Sequence, residues 1–295
     1  MESYRKPMQD TETFPLDLSP HVDAVRMFLE YFRIPPKPAS RSFLEEILRD
    51  FATLPYENIS KIIRLHDNWD DLGKLRMPQQ VIADHVAHRL GGTCFSLTYF
   101  LQAILTQHHF ICYPVMADMR SGRNVHCAMI VLLDGVKYLV DPGYLLTQPM
   151  ELNPDKPRHH RTEFAGVELR FDDVAQCYHL YTFNKDEMKW RYRFDDRPAP
   201  SVEFLQHWLA SFGWNSMHGI CLTKVTGSGL IYVRKTFMRE TTLNGRRNIN
   251  IKKNYHAAIH DVFGIEQQII EQAEWALSEN LARKQASGLW LAPAR

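Results

Sequence analysis

RLGGTCFSLTYFLQAILTQ, residues 89–107, divides two helical patterns at a glycine pair and delivers a cysteine to the start of the second. Upstream, PQQVIADHVAHR (78–89) opens with Pro78, where a first-turn proline is tolerated, and sets Val81, Ile82, Val86 and Leu90 on one stripe. Gly91 and Gly92 end that pattern. Beyond them Phe95, Tyr99, Leu101, Ile104 and Leu105 recur at helical spacing, which predicts Cys94 at or just before the first turn of a new helix. Unpaired N–H groups and the positive end of the helix dipole face that position and favour a thiolate. The glycines allow a sharp turn that would leave the sulfur exposed in a cleft. A lone cysteine at a helix start is ordinarily a small buried residue, so its partners decide its chemistry.

Composition sets the bounds. A chain of 295 residues with 45% hydrophobic and 23% charged residues can bury a large core and divide into two or three lobes. A net charge of +1 argues against an extended nucleic-acid surface. Five cysteines without a CxxC pair form no disulfide framework, and neither a signal peptide nor an apolar run long enough to span a membrane is found. A reducing cytoplasm is the expected setting.

Residues 1–18 read as an irregular arm, and the period is then helical up to about residue 108. Ser19 and Pro20 open a helix carrying Val22, Val25, Met27, Phe28 and Tyr31, and a second from about Ser42 carries Phe43, Leu44, Ile47, Leu48 and Phe51. From Ile111 short β runs follow: ICYPVMADM, VHCAMIVLL and VKYLVD, then strands near 166–172, 176–183 and 187–194, which predict an antiparallel barrel or sandwich. A helix from Ser201, more strands with a hairpin turn at Asn244 and Gly245, and helical patterns over 254–285 complete the chain. The division expected is 1–108 helical bundle, 109–200 β-barrel, and 201–295 connecting helix and α/β lid.

A cysteine nucleophile needs a base within reach, and the base needs a group to hold its tautomer. The hairpin over 125–141 offers such a pair. With a two-residue type I′ turn at Asp134-Gly135, Leu133 pairs with Val136, and His126 and Asp141 share one face as diagonal neighbours. A turn one residue longer would put them on opposite faces. The strand is otherwise apolar, so each polar group is the other's natural partner. A purely structural His–Asp hydrogen bond remains the alternative.

The order Gly91-Gly92-x-Cys94-Phe95, His126 and Tyr138-Leu139-Val140-Asp141-x-Gly143, preceded by Pro55-Tyr56-Glu57-Asn58, resembles the arylamine N-acetyltransferases. That family carries an RGGxC motif, a P-F-E-N segment and a histidine fifteen residues before its aspartate, as here (141 − 126 = 15). The likeness runs from about residue 40 to 265, through HAAIHDVFG at 256–264. It implies an α+β, papain-like fold of N-terminal helical bundle, central antiparallel β-barrel and C-terminal α/β lid. It further implies a Cys94–His126–Asp141 triad working by ping-pong transfer: Cys94 takes an acyl group from a coenzyme A thioester such as acetyl-coenzyme A, His126 moves the proton, Asp141 orients His126, and an amine accepts the acyl group. Coenzyme A thioester is then a donor substrate, with no cofactor bound permanently. Phe95, Gly143 and Tyr144 are the expected substrate contacts. The partners implied are a small-molecule amine and an acyl thioester, with no nucleic acid and no membrane.

This chain departs from the family at Leu90, where arginine is usual, with Arg89 adjacent to substitute, at Ser96 for glutamate, at Thr98 for asparagine, and at Pro142. These positions surround the nucleophile. The amide synthases of the same family, which release or cyclise polyketide or peptide thioesters from an acyl or peptidyl carrier protein, are therefore a second reading. A thiol amidohydrolase and a non-catalytic binding module are the others. PDKPRHHR (Lys156, Arg158, His159, His160, Arg161) and NGRRNINIKK (Arg246, Arg247, Lys252, Lys253) are candidate phosphate contacts or merely solvated loops. His108, His109 and Cys112 match no metal-site spacing, so no metal is expected. Cys112, Cys127, Cys177 and Cys221 read as core, with Cys127 on the face opposite His126. Tyr178, Tyr181, Trp190, Tyr192 and Phe194 read mostly as barrel core, and Glu57 and Asn58 as turn caps.

Overall fold

The computed structural model describes residues 16–68, 70–162 and 164–287, so most of the expected N-terminal arm lies outside the described residues. Helices α1 (Val22–Phe32) and α2 (Arg41–Phe51) are followed by a two-residue strand, β1 (Tyr56–Glu57), and by α3 (Ile59–Asp67), α4 (Pro78–His88) and α5 (Cys94–Gln107). Ser40 starts α2 by accepting the Phe43 N–H at 3.3 Å. Helix α5 carries apolar residues all round and is buried at eleven of its fourteen positions, which makes it the axis of the bundle. Phe28, Phe51 and Phe100 meet beside it with ring centroids 5.5 to 5.7 Å apart.

The β runs form one antiparallel sheet: β2 (Ile111–Met119), β3 (Gly122–Leu133), β4 (Val136–Val140), β5 (Met150–Glu151), β6 (Arg158–Arg161), β7 (Gly166–Asp172), β8 (Cys177–Phe183) and β9 (Met188–Phe194). Their order is β5-β4-β3-β2-β9-β8-β7-β6, and edge strands β5 and β6 return to one another, so the sheet is a nearly closed barrel. Asp134 and Gly135 both take left-handed backbone, φ 51° and 76°, and Leu133 faces Val136, as the type I′ turn requires. That register gives β3 two different faces. Ala128 and Ile130 enter the barrel core, while Met129 and Val131 join the core around α5.

After α6 (Ser201–Ala210) come β10 (Cys221–Thr226), β11 (Gly229–Arg234), β12 (Phe237–Thr242) and β13 (Gly245–Asn250), then α7 (Tyr255–Phe263) and α8 (Gln267–Ala286). The second sheet runs β1-β10-β11-β12-β13, so it recruits Tyr56 and Glu57 from the helical part of the chain. Glu57 N–H bonds the Gly92 carbonyl at 2.9 Å and Gly92 N–H the Pro55 carbonyl at 3.2 Å, which ties the glycine turn to this sheet. One expectation shifts here. Thr242 pairs with Gly245, so the last hairpin turns at Leu243-Asn244 rather than at Asn244-Gly245. The helical patterns over 254–285 are α7 and α8, divided where Gly264 caps α7 in left-handed backbone at φ 74°. No described helix is long and apolar enough to cross a membrane.

Candidate active site

The turn that presents Cys94 is held by close backbone approach. Helix α4 ends at Arg89, whose own backbone is left-handed at φ 59°, and a Cβ on Gly91 would collide with the Pro55 carbonyl. Cys94 is then the first residue of α5. Ser96 Oγ accepts the Thr93 N–H at 3.1 Å, so the hydroxyl closes the start of α5. Arg89 does not take over from the arginine missing at Leu90: it lies exposed, with its guanidinium on the Tyr31 hydroxyl. The guanidinium under the turn belongs to Arg76. It bonds the Gly91 carbonyl, Ser60 Oγ at 2.8 Å, Glu57 Oε1 at 3.2 Å and Asp84 Oδ2 at 2.9 Å.

His126 and Asp141 meet as the hairpin register requires. His126 Nε2 lies 2.8 Å from Asp141 Oδ2, with both side chains buried. Asp141 is itself fixed: Tyr192 donates its hydroxyl to Oδ2 at 2.6 Å, and the Tyr144 N–H reaches Oδ1 at 3.0 Å. Pro142 begins a short 3-10 turn, Pro142–Tyr144, which Asp141 caps. The aspartate commits Nε2 and leaves Nδ1 for Cys94. Gly143 packs against both, since a Cβ there would stand 2.9 Å from His126 Cε1 and 3.1 Å from Cys94 Cβ.

Two thiols meet at this point. Cys127 faces α5, opposite His126, and its Sγ donates to Thr98 Oγ1 at 3.5 Å, one helical turn from Cys94. The neighbouring Cys127 thiol, then His126 and more distantly Lys61, hold the Cys94 thiol well below the ordinary cysteine range against the opposing effect of burial. Burial pushes the Cys127 thiol up, so it stays a donor. Burial would lower His126, but Asp141 and the Cys94 sulfur overcome it and raise the imidazole to about 10. Each group thus favours the charged form of the other, thiolate on Cys94 and imidazolium on His126. Alkylation of Cys94 by iodoacetamide is expected to hold one rate across roughly pH 6 to 9, and in His126→Gln to rise with pH toward the free-thiol value of about 8.5. A wild-type rate that climbs through pH 8.5 would show a neutral thiol.

The Cys94 sulfur opens onto a cleft of about 530 Å³ between the barrel and the second sheet. His126, Gly143, Tyr144, Phe164, Phe183 and Arg191 are among its barrel-side lining. On the other side Tyr56, Thr223, Tyr232 and Arg239 form one row, paired strand to strand from β1 to β12. Glu187 closes on Arg246 across the mouth and also holds Lys189 at 3.1 Å.

The expected triad residues thus converge, and Gly143 and Tyr144 line the cleft. Phe95 does not. It is fully buried among Phe204, Trp208 and Trp214, where it supports the first turn of α5. Of the two basic segments only Arg246 reaches the cleft: Arg158 pairs with Glu151, His159 with Glu168 and Arg247 with Glu240. The aromatics of the cleft are Tyr56, Tyr144, Phe164, Phe183 and Tyr232, whereas Tyr178, Tyr192 and Phe194 fill the barrel. Asn58 joins segments, giving its amide to the Ser216 and Gly219 carbonyls and accepting the Cys221 N–H at 2.7 Å. Sequence reading passed over Lys61, a buried amine on Ser211 Oγ at 2.5 Å and 4.6 Å from the Phe212 ring centre, which burial lowers to about 8. It also passed over Arg76 and Arg191. No group of histidine, cysteine and carboxylate side chains that could hold a metal occurs among the described residues.

Against known proteins, a family model described as N-acetyltransferase matches residues 42–271. The chain is 25% identical over 153 residues to proansamycin X synthase of Amycolatopsis mediterranei, covering 46% of this chain and 57% of that one. It is 37% identical over 100 residues to the uncharacterized acetyltransferase R151 of Acanthamoeba polyphaga mimivirus, covering 32% and 44%. It thus spans about half the length of the curated relatives it matches. The arylamine N-acetyltransferase structure from Mycobacterium abscessus superposes with a TM-score of 0.73 at 15% identity, over 86% of this chain and 94% of that one, a likeness of fold.

Proposed function

The chain belongs to the N-acetyltransferase family whose model spans residues 42–271, and from that premise we propose that it is an N-acyltransferase working through an acyl group carried on Cys94. The observation that carries this reading is the Cys94–His126 pair, braced by Asp141 and set at the floor of a cleft of about 530 Å³. The Cys94 thiolate attacks the carbonyl carbon of an acyl thioester. The N–H groups of Cys94 and Phe95, which have no partner within α5, are placed to receive the negative oxygen. His126 gives its proton to the departing thiolate, and the thioester on Cys94 remains. An amine then attacks that carbonyl, His126 takes the amine proton, and the amide leaves with Cys94 again a thiolate.

The donor proposed is a coenzyme A thioester such as acetyl-coenzyme A. Its pantetheine arm would lie along the row from Tyr56 to Arg239, three strand spacings or about 14 Å, with phosphate at the guanidinium. A second reading is amide synthesis on a carrier-protein thioester, favoured by the size of the cleft and the likeness to proansamycin X synthase. Both readings require a reducing compartment such as the cytoplasm to keep Cys94 free.

Intact-protein mass after mixing with acetyl-coenzyme A, longer acyl-coenzyme A thioesters and an acyl-pantetheine tests this. One acyl mass is expected on the wild type, none on Cys94→Ala, and discharge on adding an amine. Discharge as free acid at the same rate without amine would make the protein a hydrolase, and no adduct with any donor would leave a binding module.

A further inference from the structure

Arg191 has the placement of a recognition residue and no structural task that explains it. In the pairing of β8 with β9, Leu180 faces Tyr192 and Tyr181 faces Trp190, so Arg191 is the extra residue of a β-bulge. A bulge bends a strand and re-aims one side chain, and here the residue beside it is Tyr192, which holds Asp141. The bulge turns Arg191 to the cleft, where its Nε bonds Thr182 Oγ1 at 2.6 Å. That bond fixes the guanidinium plane and leaves its terminal amino groups for another partner.

No carboxylate is that partner. Arg193 has Asp118, Arg158 has Glu151 and Arg246 has Glu187, but among the described residues Arg191 makes no ion pair. Among the described residues Glu187 is also the one carboxylate lining the cleft, and it is shared by Lys189 and Arg246. The charge of Arg191 is felt at Tyr144, whose ring stands edge-on to His126 at 5.3 Å. An unneutralised planar guanidinium therefore faces the same cleft as the acid–base residue. A fixed fork of this kind takes a carboxylate by two parallel hydrogen bonds.

Resting on the acyltransferase reading, we propose that Arg191 selects the acyl acceptor, and that the acceptor is an amine bearing a carboxylate on the side remote from its amino group. The donor's phosphate is the other oxyanion to consider, but the whole pantetheine arm separates it from the reacting carbon. Arg239, far along the second sheet, suits that distance, and Arg191, next in the chain to the Tyr192 that holds Asp141, suits an anion on the triad side of the cleft.

The test compares para-aminobenzoate with its neutral isostere para-aminobenzamide on the wild type, Arg191→Met and Arg191→Lys. In Arg191→Met kcat/KM for the acid is expected to fall about 30-fold, with the amide changed less than about 3-fold, as loss of a charge-assisted pair implies. Arg191→Lys should regain part of the preference. Loading of Cys94 by acyl donors should be unchanged in both variants. Affinity of the unloaded protein for the two amines, by titration calorimetry, should show the same preference and the same loss, and it reads Arg191 even where no turnover occurs. Equal losses on both amines, or equal affinities in the wild type, would overturn the proposal. So would slower loading by acyl-coenzyme A with unchanged loading by a short thioester lacking phosphate, which would assign Arg191 to the donor.

Discussion

Asp141→Asn is expected to lower the rate of acyl transfer by about 10³ to 10⁴ while the fold survives. The size follows from tautomer control, for which a loss of about 10⁴ is the reference in a serine-protease triad. Asp141 Oδ2 accepts from both His126 Nε2 and the Tyr192 hydroxyl, and Oδ1 accepts the Tyr144 N–H. An asparagine oxygen can keep one side of this arrangement. Its NH2 then points at a ring nitrogen that must become an acceptor, so the proton moves to Nδ1, the nitrogen that serves Cys94. The base is blocked, and the charge that supports the imidazolium is gone. Two readings check this: Cys94 alkylation should acquire an ordinary pH dependence rising toward about 8.5, and the melting temperature should fall by only a few degrees. Ordinary turnover in this variant, or a loss fully explained by unfolding, would mean that the His126–Asp141 bond is structural.

The parts of this site that were legible in sequence share one property: local backbone rules place them. The His126–Asp141 contact follows from the residue types at Asp134-Gly135, because a two-residue turn fixes every pair along the hairpin. Cys94 at a helix start follows from a change of phase across Gly91-Gly92. Beyond the turn, legibility fails where contacts join segments distant in sequence. Cys127 reads correctly as facing away from His126, yet both of them act on the Cys94 thiol. Arg191 depends on a bulge, and the residue that a bulge leaves unpaired is not encoded in an alternation of aromatic and basic residues such as MKWRYRF. Phe95 looks like a neighbour of the chemistry because it follows the nucleophile, but one residue of helix turns a side chain by about 100°, and here that carries it into the core.

Arg76 is where sequence reading and structure differ most, and it yields the largest expected effect on stability. Arg76→Met should cost about 3 to 5 kcal/mol, measured by urea unfolding, because it breaks a buried pair and leaves its partner charged. Glu57 is fully buried, and without the guanidinium it keeps only the Ser60 N–H and hydroxyl, at 2.8 and 2.6 Å. The Gly91 carbonyl loses its partner as well, so loading of Cys94 should slow even in the folded fraction. Arg89 supplies the contrast. It lies beside the position where the family carries arginine, but it is exposed on Tyr31, and Arg89→Ala should cost under about 1 kcal/mol. Pairing Arg76→Met with Glu57→Gln separates charge from packing. If the penalty is an orphaned carboxylate, the double variant should be more stable than Arg76→Met alone. If the losses simply add, the ion pair is incidental, and Arg76 serves the turn only by filling space and bonding its carbonyl.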